Sequence, residues 1–279
     1  EEDGYYASYL YGRQNLTRTQ QSETLGESFC VLFGIADEER AAKVISSMPV
    51  GEFGPPIFSP QIVSQPDYHN NGVWPYVTSF WGKAAAKVGN ETALMHALAC
   101  NVRTASIYAT NYENYSFNTG NPYTTQINSP NMLWGLSGFM GLFHRTFFGL
   151  EFTKEGLALK PFVPTVLAGT RKLEAFPYRG MKLDITVSGS GNEIASCLVD
   201  GKEAEAFIPA DWTGNHSIEI VMKGEHNPSS VNIVGYIGMP EVPAVKAEAG
   251  KLQWNAISGA AKYWVLKDGQ KVTETTSCS

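Results

Sequence analysis

Apolar residues recur at helical spacing through the first half of the chain and at alternate positions through the second. Leu25, Phe29, Leu32 and Phe33 fall on one side of a segment that Ser22 can cap and Gly34 ends. Asp37 caps a second segment, with Ala41, Val44, Ile45 and Met48 at i, i+3, i+4 and i+7. Trp74-Pro75 opens a third, running through Val77, Phe80, Ala84 and Val88 to Gly89, and Asn90 caps a fourth with Leu94, Leu98, Val102, Ala105 and Ala109. Ser129-Pro130 starts a fifth, with Leu133, Leu136, Met140, Phe143 and Phe147 expected to face inward. Residues 1–18 are rich in Tyr and read as an extended segment or hairpin.

Short links at Gly34–Asp37 and Gly89-Asn90 alternate with long ones at 49–73 and 110–129. Helices joined by so short a link form antiparallel hairpins, which places the long links together at the opposite end. Loops longer than about 12–15 residues inside a compact domain are functional or disordered. Both long links are rich in aromatic residues and Pro and poor in charge, a composition that argues against disorder.

From residue 157 the period becomes two. Leu157 and Leu159, then Met181, Leu183, Ile185 and Val187, then Ile194, Ser196 and Leu198, then Ile218, Ile220 and Met222 alternate as in half-buried strands. Turn signals separate them at Tyr178-Arg179-Gly180, Gly189-Ser190-Gly191-Asn192 and Asp200-Gly201. The pattern predicts a β-sandwich after the helices. A further small β-module begins near 240, and its stop at Ser279 reads as a truncation.

Composition narrows the class. With 279 residues, 43% hydrophobic and 17% charged, the chain can bury a sizeable core and hold about two or three domains. The formal charge is -6, without a run of Lys or Arg, which argues against a nucleic-acid or anionic-membrane partner. No stretch approaches the length of a membrane span, and Glu1-Glu2-Asp3 opens the chain without a signal-peptide pattern. Cys30, Cys100, Cys197 and Cys278 are too scattered for a zinc site or redox pair and are expected as free thiols. His69, His96, His144, His216 and His226 lack metal-ligand spacing, so neither a metal nor a cofactor is expected.

Candidate chemistry concentrates in Asn111-Tyr112-Glu113-Asn114-Tyr115-Ser116-Phe117-Asn118-Thr119-Gly120, one carboxylate among aromatic and amide side chains. Rings can stack on the carbon face of a pyranose, amides can bond its hydroxyls, and a lone Glu can activate water. The same segment also fits a polar turn whose Tyr residues only pack. Trp134 and Trp81 are sugar platforms or core, the platform being favoured for Trp134; His69 fits a sugar contact and a structural loop role equally. Asp67 and Glu52 are the nearest carboxylates that can act as an acid and read more simply as solvated loop residues. Glu23 and Glu27 fit a helix first turn.

The ordered set Glu23-Thr24-Leu25-Gly26, Asn70-Asn71-Gly72-Val73-Trp74-Pro75, Tyr112-Glu113-Asn114-Tyr115 with Thr119-Gly120, and Met132-Leu133-Trp134 resembles the C-terminal part of a six-hairpin glycoside hydrolase, most like family 63, the α-glucosidase I type. The resemblance covers about 20–235. It implies a multidomain α plus β chain: a partial α/α six-hairpin toroid over 1–150, an antiparallel β-sandwich over 151–238, and the beginning of a fibronectin type III-like module over 239–279. It implies an inverting glycosidase acting on α-linked gluco-oligosaccharides, with Glu113 as general base and Asn71, Trp74, Tyr112, Tyr115, Trp134 and His69 around the sugar.

Inversion needs a second carboxyl, about 6.5–9.5 Å from the base, as general acid. The family's acid lies far upstream and has no counterpart in residues 1–18, so the resemblance implies an oligosaccharide substrate, a missing N-terminal half of the barrel as partner, and an inactive isolated chain. The chain has Ser116-Phe117-Asn118 where the family places Pro and one further residue before Thr-Gly. The appended β-modules point to an extracytoplasmic location, periplasmic or secreted. A non-catalytic carbohydrate-binding or adhesion role is the alternative from another class. A rhamnosidase or disaccharide phosphorylase is the enzymatic one, since one fold hosts many sugar chemistries, although no anion-binding loop for a phosphorylase is evident.

Overall fold

A computed structural model describes residues 4–14, 16–224 and 229–279; the opening Glu1-Glu2-Asp3 and His226 lie outside them. Five helices form: α1 (Thr24–Leu32), α2 (Glu38–Ser47), α3 (Pro75–Lys87), α4 (Glu91–Tyr108) and α5 (Leu133–Thr146). Their starts follow local chemistry. Asp37 and Asn90 cap α2 and α4 by accepting from Arg40 N at 2.8 Å and Ala93 N at 2.9 Å. α1 is capped by Glu23 rather than Ser22, its carboxylate accepting from Leu25 N at 3.1 Å and Gly26 N at 2.6 Å. A carboxylate there also meets the positive end of the helix dipole.

The expected partial α/α toroid is not what forms. Among the described residues strand accounts for 33% and helix for 25%, in small sheets with 5 helices. The helices cluster around α3, on which α1, α4 and α5 all pack. α3 is buried at Val77, Thr78, Ser79, Trp81, Gly82, Ala84 and Ala85, and these mostly small side chains let neighbours close in from several directions. The result is one core centred on Trp81, with Val44, Ile45, Leu94, Leu98 and Leu142 around it.

Two helix faces also differ from expectation. α5 buries Gly135, Gly138, Leu142 and Thr146, while Leu133, Leu136 and Met140 are exposed, Leu133 by 76%. Glycines define the inward face because only they admit α3 so closely: a Cβ on Gly138 would lie 3.3 Å from Tyr76 Cα. α1 buries Thr24, Glu27, Ser28 and Val31 and leaves Phe33, just past its end, 72% exposed.

The second half forms two facing sheets. One is five-stranded, in the order Gly169–Tyr178, Met181–Gly189, Gly214–Lys223, Glu193–Val199, Lys202–Glu203. The other pairs Phe207–Pro209, Gly156–Leu159 and Leu150–Phe152. Leu157, Leu159 and Ile208 meet Leu183, Ile185, Val187, Ile218 and Ile220 in one core. The sheet is mixed rather than antiparallel, because Met181–Gly189 runs parallel to Gly214–Lys223. In Glu193–Val199 a bulge between Ile194 and Ser196 reverses the alternation, so Cys197 and Val199 are buried where the sequence pattern favours Ser196 and Leu198.

After the sheets the chain returns to the helices. Asn232–Ile233 adds a parallel strand to Pro49–Val50, and Gln61 N donates to Ile237 O at 2.8 Å. Two hairpins, Val245–Trp254 and Tyr263–Thr275, follow. All four cysteines are free. Among the described residues no helix is long and apolar enough to cross a membrane.

Candidate functional site

The two long links lie together, joined by backbone pairing. Gly72 and Val73 pair antiparallel with Ser116 and Tyr115, Phe117 N donates to Asn71 O at 2.8 Å, and Gln126 N donates to Asp67 O at 2.8 Å. Asp67 braces the junction. One of its oxygens accepts from Asn71 Nδ2 at 2.8 Å and the other from Ser116 Oγ at 2.7 Å. Asn128 closes the second link on itself: its amide donates to Asn114 O and Pro122 O, each at 2.8 Å, and its carbonyl oxygen accepts from Ser129 N at 3.0 Å. Backbone turns with so many bonds hold a side chain in place without a helix or strand beneath it.

Glu113 sits at the start of this braced loop, half-buried, its N–H donating to Ser129 O at 3.0 Å. Its carboxylate faces the Tyr68 hydroxyl across the two links. Burial first, and then the Glu113 charge and hydrogen bond, raise the Tyr68 phenol above the ordinary tyrosine range. The phenol and the bonded loop fix where the Glu113 carboxylate sits.

An aromatic band adjoins it. His69 stacks on Trp74 with centroids 5.1 Å apart, Tyr68 lies 5.2 Å from the same ring, and Trp74 meets Trp134 edge-on at 5.3 Å. Trp134 stacks on Tyr76 at 4.6 Å, and Tyr76 leads to Phe80 at 4.9 Å. The exposures sort the roles these rings can take. Trp134 is 36% exposed, whereas Trp74 is 5% exposed and donates its Nε1–H to Tyr68 O at 3.0 Å. Trp134 therefore leaves ring surface open to solvent, and Trp74 supports it from behind. Trp81 belongs to the helical core.

Tyr115 is 1% exposed, and its hydroxyl accepts from Tyr112 N at 3.1 Å, so it is packed against the loop. Tyr112 is half-buried and shares a 3.2 Å hydroxyl contact with Tyr123; that bond is the first cause raising its phenol. Asn71 is buried in a left-handed turn at φ 52, held by Asp67, with its side-chain Oδ1 lacking a partner among the described residues. His69 is exposed over Trp74. Glu52 pairs with Arg103 at 3.4 Å on the surface.

The structure thus gathers Glu113, His69, Trp74 and Trp134 on one side of the joined links and turns Asn71 and Tyr115 inward. The sequence reading overlooked Tyr68 and Tyr76. Both stand within two residues of Trp74 or His69 in an aromatic run, a signal in hand, but their partners Glu113 and Trp134 lie far along the chain. No protein-family model matches this chain, and no curated protein matches it in sequence.

Proposed function

We propose that these residues carry the general-base side of an inverting glycoside hydrolase site for α-linked gluco-oligosaccharides, with Glu113 as the base and Trp134 as a sugar platform. One observation carries the reading: a half-buried carboxylate on a multiply bonded loop stands next to an aromatic band with an exposed ring. The resemblance of Tyr112-Glu113-Asn114-Tyr115 to the family 63 base motif supports the same role. In this reading Tyr68 holds the Glu113 carboxylate in position, and Asp67 is a brace, since both its oxygens are occupied within the protein. The general acid then comes from polypeptide outside residues 1–279, and an extracytoplasmic location fits a polysaccharide-processing role.

The test is Glu113→Gln in the protein together with the polypeptide that supplies the acid. The amide keeps the shape and removes the basicity, and turnover should fall at least about a hundredfold. Hydrolysis at near the unsubstituted rate would remove Glu113 from the mechanism. A second reading, carbohydrate binding without catalysis, is favoured by the band itself, which requires no acid; it predicts unchanged oligosaccharide affinity in Glu113→Gln and no hydrolysis under any pairing.

A further inference from the structure

A cavity of about 1230 Å³ lies where the helices meet the sheets, and none of Glu113, Tyr68, Trp74 or Trp134 lines it. Two cations from different helices enter it, Lys83 of α3 and Arg145 of α5. The Lys83 ammonium lies 4.2 Å from the centre of the Phe80 ring. A ring face attracts the charge but accepts none of the three N–H donors in the way an oxygen does. No carboxylate or carbonyl among the described residues accepts from Lys83.

The carboxylates around the same cavity are occupied or belong to α2. Lys160 holds Glu151 at 2.7 Å, Asp37 caps Arg40 N, and Glu38 lies in the first turn of α2. Lys87 donates to Leu32 O at 2.8 Å. Arg145 donates through one nitrogen to Leu150 O at 3.0 Å and lies over Phe152 at 4.8 Å, leaving other N–H groups of its fork for a ligand. Two like charges lining one partly desolvated cavity oppose one another, and burial together with Arg145 brings the Lys83 ammonium down to about 8.

We propose that this cavity binds a small oxyanion, the carboxylate of an acidic sugar or a phosphate group, between Lys83 and Arg145. The anion supplies the acceptor that Lys83 lacks and removes the repulsion between the two cations; the aromatic walls at Phe80 and Phe152 receive the apolar part of its carrier. This site is independent of the Glu113 reading.

Calorimetric titration of the 279-residue chain with inorganic phosphate, with glucuronate and with neutral glucose, at constant ionic strength, tests it. At least one anion should bind saturably and glucose should not; the better anion identifies the carrier. Lys83→Met keeps the stem that packs on Phe80 and removes the charge, and should weaken binding about tenfold or more, as should Arg145→Gln. In the unsubstituted protein the affinity should drop at least about tenfold between pH 8 and 10, as Lys83 loses its proton while both anions keep their charge. Lys87 and Lys160, the other cations of the cavity, are engaged by Leu32 O and by the Glu151 carboxylate. Failure of both anions to bind, equal binding of glucose, affinity unchanged in both variants, or affinity flat with pH would each overturn the proposal; the pH series decides even where a variant does not fold.

Discussion

At the scale of single residues, burial decides which polar groups are structural. Glu27 is 3% exposed on α1, with one oxygen accepting from Tyr6 N at 2.6 Å and the other without a partner among the described residues. Burial is the largest influence on it and Glu23 adds to that, while the Tyr6 bond and Arg40 act against it; the outcome is a rise to about 7. Between the ordinary carboxylate range and pH 7 the folded state therefore holds more protons than the unfolded one. Stability is full in acid and declines as pH rises through that window, by an order of about 3 kcal/mol. Glu27→Gln should flatten the pH dependence of the melting temperature and leave the variant more stable than the parent at pH 8; a slope unchanged by the substitution would assign it to other groups. The same reasoning separates the two band tryptophans. Trp74→Ala removes a buried ring and should cost about 3–5 kcal/mol of stability. Trp134→Ala should weaken oligosaccharide binding roughly tenfold, equivalent to about 1.4 kcal/mol, with little change in melting; calorimetry and thermal denaturation read the two separately. Composition alone pointed to the Glu113 loop, since one carboxylate among rings and amides is visible in sequence. Tyr68 and Tyr76 were not legible as its neighbours, because 45 positions of chain separate Tyr68 from Glu113 and only tertiary pairing closes the gap.

Among elements, close approach of helices overrides hydrophobic spacing. Gly138 of α5 faces Tyr76 Cα at 3.3 Å and Ser79 Cβ at 3.4 Å, measured from the Cβ it lacks, and helix backbone does not yield. Gly138→Ala should therefore destabilise by about 1–3 kcal/mol through overpacking, more than the gain in helix propensity of up to about 1 kcal/mol. Gly141, one turn on, faces the flexible end of Lys83, with Nζ at 3.0 Å. Gly141→Ala lets that end swing aside and should be neutral or stabilising by up to about 1 kcal/mol. Denaturant titration of the two variants side by side checks the contrast, and equal effects would mean that α5 moves freely against α3. This packing explains which parts of the fold the sequence revealed. Helix number and the starts of α2, α3 and α4 were legible, because Asp37 and Asn90 cap through bonds to their own neighbours and Pro75 suits a first helical position, whereas Glu23 caps α1 and α5 begins at Leu133, past Ser129-Pro130. The inward face of α5 was not, because a strip of glycines carries no hydrophobic signal, and the spacing of Leu133, Leu136 and Met140 indicates the opposite face. The bulge in Glu193–Val199 and the parallel pairing of Met181–Gly189 were equally hidden, since both depend on strands brought together from a distance.

For the whole molecule, the sequence pattern places helices first and strands after, and the chain is laced across that division. Phe162, beyond the first two strands of the sheet region, is buried in the helical core, and Phe162 N donates to Thr146 O at 2.8 Å. Thr165 N donates to the Glu91 carboxylate at 2.6 Å at the start of α4. Later the chain comes back: Asn90 Nδ2 donates to Ser230 O at 2.9 Å, Asn232 Nδ2 to Ser47 O at 2.8 Å, and Val231 packs on the helical core while Ile233 pairs with Val50. The sheet core, by contrast, takes its buried side chains from Phe148 to Met222 and none from the returning segment. Such lacing couples the stability of the helices to residues more than a hundred positions away, and it predicts that helices and sheets open together. In a denaturant series followed by hydrogen exchange, protection in 75–108 and in 181–223 should be lost at the same concentration. Ending the chain at Gly224 removes the strand on Pro49–Val50 and the cover over the helical core but leaves the sheet core whole. The helical segment should then lose protection first and the sheet should keep its own midpoint. Two well-separated transitions already present in the 279-residue chain would show instead that the returning segment adds contacts without coupling the two parts.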